Sequence, residues 1–382
     1  MQVIYFVDNK LGGITSLNYN LVNNAPPDAG GQMVIHIDCK EWVSARANIE
    51  FNADKEISFT YSERQGLYQT IRQLHDLLPG GPGALVLNDC LEMQMLDHYP
   101  TPRTVYQLVH DEYNFKLAAD YHQVVDVFIA HSLFFYEKLL NLFPHRSDTI
   151  FYLPHGVVVP AVTRKPQPAE NPIRLLFLGR MTASKGIFDL PVIDGLLDEW
   201  GVARTWTCIG RGPELEELKS RWGTGAPVEF AAPAGNDEVV RICAANDVFV
   251  LPTRFEGSPV SLLETMSVGL VPVISDLPGG IREIVTEDIG LRPAMEDNQA
   301  FAAAIKKLAG NRNWLDELSI NCRKKVEQQF DVRQTAASYH DLFGKYERFY
   351  TKKQLLHKKI GTRLDQAWLP SSFTRLIRKL RS

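Results

Sequence analysis

The chain is 382 residues long, enough for two domains of ordinary size, each with a core of its own. Hydrophobic residues at 45% and charged residues at 23% exclude a disordered or membrane-embedded class. The five cysteines (Cys39, Cys90, Cys208, Cys243, Cys322) form no CxxC or Cys/His cluster, which excludes a disulfide scaffold and reads as reduced thiols of a cytosolic protein.

The net charge of −4 hides an asymmetry. Residues 345–382 hold 6 Lys and 5 Arg against Glu347 and Asp365, a net +9, which leaves −13 on the rest. That distribution argues against nucleic acid as a partner of the globular part and for an anionic surface, such as phospholipid, near the tail.

In chain order, the opening MQVIYFVDNK lacks a basic n-region and reads as a first strand, not a signal peptide. Short apolar runs follow at 33–37, 84–88, 104–109 and 125–130, then at 173–178, 205–209, 247–251 and 271–275. Helix-length segments separate many of them. This alternation predicts an α/β fold with two doubly wound parallel sheets and right-handed crossovers. The Pro-rich stretch 154–172 predicts a linker between them. The expected organisation is a Rossmann-like domain over 1–165, a second over 166–335, and a helical segment over 336–382, with 332–350 as a return crossing. No stretch approaches transmembrane length.

Several loops at predicted strand ends carry chemistry. Gly12-Gly13 follows the first strand and allows backbone to approach a ligand closely, although GxGxxG is absent. His110-Asp111 follows the strand 104–109, where a histidine serves either a ligand or a structural hydrogen bond. After the strand 173–178, Arg180 and Lys185 flank a loop leading into a helix. Two cations there make a clamp for a diphosphate. Gly210-Arg211-Gly212-Pro213 follows the strand 205–209 and is by itself a turn.

The densest stretch is 249–285. Glu256 sits in the loop after the strand 247–251. Ser258-Pro259 reads as N-cap and N1 of a helix that contains Glu264. Glu264 has a bland alternative as a capping-box acid, but Pro259 at N1 puts it too deep in the helix for that role. Its neighbours Leu262, Leu263 and Met266 are apolar, so the carboxylate needs a partner. Two acids around a strand-to-helix turn at a carboxyl edge suggest a sugar site.

Glu256-Gly257-Ser258-Pro259-Val260-Ser261-Leu262-Leu263-Glu264, with Arg180 and Lys185 upstream, resembles the retaining, GT-B fold nucleotide-sugar glycosyltransferases of family 4. The resemblance implies two Rossmann-like domains facing across a cleft, with C-terminal helices crossing back to the first. It implies that Arg180 and Lys185 hold the donor diphosphate, that Glu264 accepts from the ribose hydroxyls, and that Glu256 with Gly257, Ser258, Pro259 and Val260 holds the donor sugar. It places Gly12, Gly13 and His110 close to the donor, and Gly210 on the nucleotide side. Gly279-Gly280 and Glu283 complete the pattern. No cofactor or metal is expected, the substrate being a UDP- or GDP-sugar. Two residues depart from the family: Arg254, where small residues are common and an anion contact or simple exposure are the options, and His155, where asparagine is frequent.

The implied function is transfer of a sugar to an acceptor hydroxyl, with a lipid-linked glycan of bacterial surface-polysaccharide assembly as the preferred acceptor. A nucleotide-sugar epimerase, a glycosidase using the two acids, and a non-catalytic membrane-attached sugar-nucleotide-binding protein are the alternatives. Leu355, Leu356, Ile360, Leu364 and Trp368, then Phe373, Leu376, Ile377 and Leu380 with Arg375, Arg378, Lys379 and Arg381 interleaved, recur at near-helical spacing. They predict an interfacial helix on the inner face of the cell membrane, a docked terminal helix, or both in different parts, with about 350–368 docked and 371–382 at the membrane.

Overall fold

A computed structural model describes residues 1–8, 12–41, 50–223, 225–233, 235–257, 259–362, 364–365, 369, 374 and 377–378. Contacts divide the chain into one unit of 1–156 with 333–382 and another of 157–332.

Among the described residues, the first unit holds β1 (Gln2–Asp8), β2 (Gly31–Cys39), β3 (Lys55–Tyr61), β4 (Ala84–Leu87), β5 (Thr104–Val109), β6 (Val127–Ala130) and β7 (Ile150–Tyr152). They form one parallel sheet in the order β3-β2-β1-β4-β5-β6-β7. Because side chains alternate across a strand, the apolar runs feed two cores. Ile4, Phe6, Met33, Ile35, Leu85 and Leu87 pack on one face. Val3, Tyr5, Val7, Val34 and Val86 pack on the other. The second face is covered in part by the helix Val332–Gly344, whose Tyr339 and Phe343 are fully buried, with Phe343 edge-on to Tyr5 and Tyr106. The predicted return of the chain at 332–350 is therefore a core element of this unit.

The second unit holds β8 (Ile173–Leu178), β9 (Arg204–Ile209), β10 (Val228–Ala231), β11 (Val248–Leu251) and β12 (Val271–Ile274), all parallel, in the order β10-β9-β8-β11-β12. Its start at Val157 has a physical cause. Arg164, inside the Pro-rich stretch expected to be a linker, is buried and bonds to Asp247 at 2.9 Å and Asp316 at 2.7 Å. Arg174 adds two further bonds to Asp247, at 2.7 and 2.9 Å. Burial pushes the Asp247 carboxyl up, yet the two guanidiniums outweigh it and hold the group below its ordinary range. The stretch is thus fastened to the sheet it precedes.

Three strands lie outside the predicted runs. β3, β7 and β10 are edge strands of their sheets, and β3 reads KEISFTY with mostly exposed positions. An edge strand half in water lacks the apolar continuity of a central parallel strand.

Among the described residues, the near-helical spacing from Leu355 to Ile360 does not form a helix. Residues 351–360 run as an irregular strap. Its amides are taken by buried acids: Thr351 donates to Asp126 at 3.0 Å, and Leu356 and Lys358 donate to the two oxygens of Asp97 at 2.9 and 2.7 Å. Ile360 enters the core, with Leu355 packed beside it. Arg378 donates to Asp365 at 2.6 Å and to the Gln65 carbonyl at 2.7 Å, so this member of the expected membrane-facing set is docked on the protein. Trp368, Phe373, Arg375, Leu376, Lys379, Leu380 and Arg381 lie outside the described residues. No helix among the described residues is long and apolar enough to cross a membrane.

Candidate active site

In the second sheet the strand order reverses beside β8, whose neighbours are β9 and β11. The loops after β8 and β11 leave opposite sides of that switch point at the carboxyl edge, where open parallel sheets bind ligands. The first carries Arg180 and Lys185, the second Glu256.

The structure brings two of these together. Lys185 Nζ lies 2.5 Å from Glu256 Oε1, and the Glu256 side chain is only 8% exposed. The loops are pressed together by backbone. Gly186 has φ +71°, and a Cβ there would lie 1.8 Å from the Pro252 carbonyl oxygen, so only glycine allows this approach. Arg180 is exposed and has no side-chain hydrogen bond or ion pair among the described residues. Its loop is backed by the turn after β9: Met181 donates to the Arg211 carbonyl, and a Cβ on Gly210 would lie 1.9 Å from the Gly179 carbonyl oxygen.

The helix that follows β11 spans Val260–Ser267. Its opening differs from the expected one by a residue. Pro259 is in the cap position, extended at ψ 104°, and its carbonyl accepts from the Leu262 amide at 3.1 Å. Pro259 therefore starts the helical bonding without belonging to the helix, while Ser258 lies outside the described residues. The amides of Val260 and Ser261 are left without intrahelical acceptors, as at any helix start. Glu264 stands one turn further on, beyond the reach of a capping box. Burial pushes its carboxyl up to about 6, and it has no hydrogen-bond or ion-pair partner among the described residues. A carboxylate sequestered in this way is a ready acceptor for ligand hydroxyls.

Arg254 is neither free for an anion nor simply exposed. It bonds to Asp189 through two nitrogens, at 2.7 and 3.2 Å, and to Glu296 at 3.1 Å. Gly279 has φ +96° and opens the short helix Gly280–Ile284, which contains Glu283.

In the first unit, Gly13 begins the helix Gly13–Asn23 after β1, and Gly12 is its cap in extended backbone that any residue adopts. His110 follows β5. Its partner Asp111 caps the helix Glu112–Tyr121 by accepting from the Asn114 amide at 2.9 Å, and lies 3.7 Å from His110 Nε2. Burial lowers the His110 imidazole, with Asp111 opposing, which keeps it neutral near pH 7. Two further histidines escaped the sequence reading as a group. His131, after β6, stacks on His110 at 5.7 Å, and His155, after β7, is buried and pushed down to about 3. Successive strand ends of one parallel sheet share an edge, and that regularity is the signal that would have grouped them.

The fold and this loop arrangement define a class, the GT-B fold of two Rossmann-like units. Anabaena HepE, solved in complex with UDP and glucose, superposes with a TM-score of 0.69 at 15% identity, covering 90% of this chain and 100% of that one. Residues 172–311, within the second unit, match the family described as Glycosyl transferases group 1. Among curated relatives, the amylovoran biosynthesis glycosyltransferase of Erwinia amylovora is 31% identical over 172 residues, 42% of each chain. The UDP-Gal:alpha-D-GlcNAc-diphosphoundecaprenol alpha-1,3-galactosyltransferase of Escherichia coli is 27% identical over 137 residues, 35% of each. The chain thus spans well under half the length of these relatives.

Proposed function

We propose that the protein is a retaining glycosyltransferase that moves a sugar from a nucleoside-diphosphate sugar to an acceptor hydroxyl. The observation that carries this reading is the meeting of Lys185 and Glu256 at 2.5 Å across the switch point, with Arg180 exposed in the same loop as Lys185 and without a side-chain partner among the described residues. A lone sugar-cleaving acid pair has no use for such cations. A departing nucleoside diphosphate does, because it gains charge as the glycosidic bond breaks. Arg180 and Lys185 bind the diphosphate, Glu264 accepts from the ribose hydroxyls, and Glu256 with Gly257, Ser258, Pro259 and Val260 holds the sugar. Gly210 backs the nucleotide side. The bond from the anomeric carbon to the phosphate oxygen breaks, the acceptor oxygen forms its bond on the same face, and the departing phosphate oxygen takes the acceptor proton. The two cations supply the charge that a metal supplies elsewhere, so the reaction runs without one.

The acceptor in this reading is a lipid-linked glycan of bacterial surface-polysaccharide assembly, and the enzyme works on the inner face of the membrane. The Escherichia coli relative is named for a diphosphoundecaprenol acceptor, and the chain's net +9 tail favours an anionic surface.

Calorimetric titration with UDP and GDP, in the presence of EDTA, tests the donor site. One nucleotide binds the wild type, and the double variant Arg180→Ala/Lys185→Ala loses it. Retained affinity in that variant rules out the clamp, and nucleotide-independent hydrolysis of simple glycosides transfers the reading to a glycosidase.

A further inference from the structure

Arg254 joins two loops that the sequence separates by about seventy positions. Its amide donates to the Ser184 carbonyl at 2.9 Å, and the neighbouring Thr253 hydroxyl donates to the same carbonyl at 3.2 Å. Its guanidinium reaches past Lys185 in both directions, to the Ala183 carbonyl at 3.4 Å and to both oxygens of Asp189 at 2.7 and 3.2 Å. Asp189 is only 8% exposed, so removing this partner would leave a buried carboxyl without its two guanidinium bonds. The remaining nitrogen, Nε, holds Glu296 at 3.1 Å. Glu296 is one of only two non-glycine residues with positive φ among the described residues, at +65°. A residue held in that region persists where its surroundings over-determine it, and such strain gathers at functional sites.

Lys185 lies between Ala183 and Asp189, and Glu256 lies two residues beyond Arg254. The bidentate guanidinium therefore braces both sides of the Lys185 to Glu256 contact while touching neither. We propose that Arg254 is a positioning residue: it locks the loop after β8 to the loop after β11, and so fixes the distance between the diphosphate-binding cation and the sugar-binding carboxylate. A planar fork with five donors can hold two acids and a carbonyl at once, which an ammonium cannot do in the same geometry. The inference rests on the function proposed above, and it adds a residue that would act on the donor only through others.

The test titrates UDP and GDP into wild type, Arg254→Ala and Arg254→Lys, well below each protein's melting temperature, with circular dichroism to confirm folding. For the nucleotide that the wild type binds, Arg254→Ala weakens Kd on the order of 10- to 100-fold, the size that a misplacement of about 1 Å brings. Arg254→Lys weakens it less, and millimolar guanidinium restores the Arg254→Ala affinity. A merely structural arginine would lower the melting temperature yet leave Kd of the folded protein unchanged. Kd within twofold of wild type in folded Arg254→Ala, or a loss that neither guanidinium nor lysine relieves, overturns the proposal. Should Arg254→Ala not fold, Arg254→Lys decides alone: unchanged affinity removes Arg254 from the site. Failure of the wild type to bind either nucleotide removes the proposed function instead, so the two failures are distinct.

Discussion

Glu264 is held at a cost that no neighbour among the described residues relieves. Its folded-state pKa of about 6 lies above the ordinary 4.5 because burial disfavours the charge. Between those values the folded protein binds more protons than the unfolded chain, so this group removes stability as pH rises from about 4.5 to about 6. The penalty is constant above that, at about 2 kcal/mol. Glu264→Gln is therefore expected to raise the melting temperature at pH 7.5 and leave it unchanged near pH 4. The same variant is expected to weaken nucleotide binding at pH 7.5, and wild-type affinity is expected to fall as pH drops through about 6. A rise in stability with undiminished affinity would show that Glu264 touches no ligand. Opposite signs on stability and binding separate a functional acid from a structural one. This residue and Glu256, Arg180 and Lys185 were legible in sequence because spacing within one loop or helix turn fixes their placement. Asp189, Glu296 and the grouping of His131 and His155 with His110 were not, because these depend on partners in other loops and at other strand ends.

The strap at 351–360 shows why periodicity misled for one element and served for others. Central strands of a parallel sheet are buried on both faces, so β1, β4 and β5 announce themselves as apolar runs. Near-helical spacing at 355–364 reflects two anchors, Leu355 and Ile360, in the core of the first unit. What decides the backbone is Asp97, fully buried and 259 positions away from Leu356, which accepts two strap amides. Hydrogen bonds to a buried charge are worth about 1.5 to 3 kcal/mol each. Asp97→Asn keeps the shape but turns one acceptor into a donor facing an amide, and is expected to cost about 2 to 4 kcal/mol. Urea unfolding would register the loss. Limited proteolysis would register faster cutting within 351–362, and an unchanged cleavage rate would mean that the strap is held by its apolar anchors alone.

For the whole chain, the division of charge outlasts the correction at Arg378. Because Arg378 is committed to Asp365, the membrane proposal is tested by changing Arg375, Lys379 and Arg381 to Glu together, which leaves that docked pair in place. Each basic side chain near an anionic bilayer contributes about 1 kcal/mol, so the triple variant is expected to lose co-sedimentation with vesicles containing phosphatidylserine at low salt, while nucleotide affinity persists. Equal sedimentation of variant and wild type would assign the tail to the protein's own fold. By itself the sequence determined the α/β class, the two sheets, the return of the chain at 332–350 and the placement of acids and cations in the loops after β8 and β11, because each of these is written in contiguous pattern: apolar runs, turn residues, motif spacing. Only the tertiary structure decided that the Pro-rich stretch belongs to the second unit, that the strap is not a helix, and that Arg254 is a brace. Each of those depends on a buried charge finding its partner at long sequence separation, through Asp247, Asp97 and Asp189, and a buried charge takes whichever donors the fold brings to it.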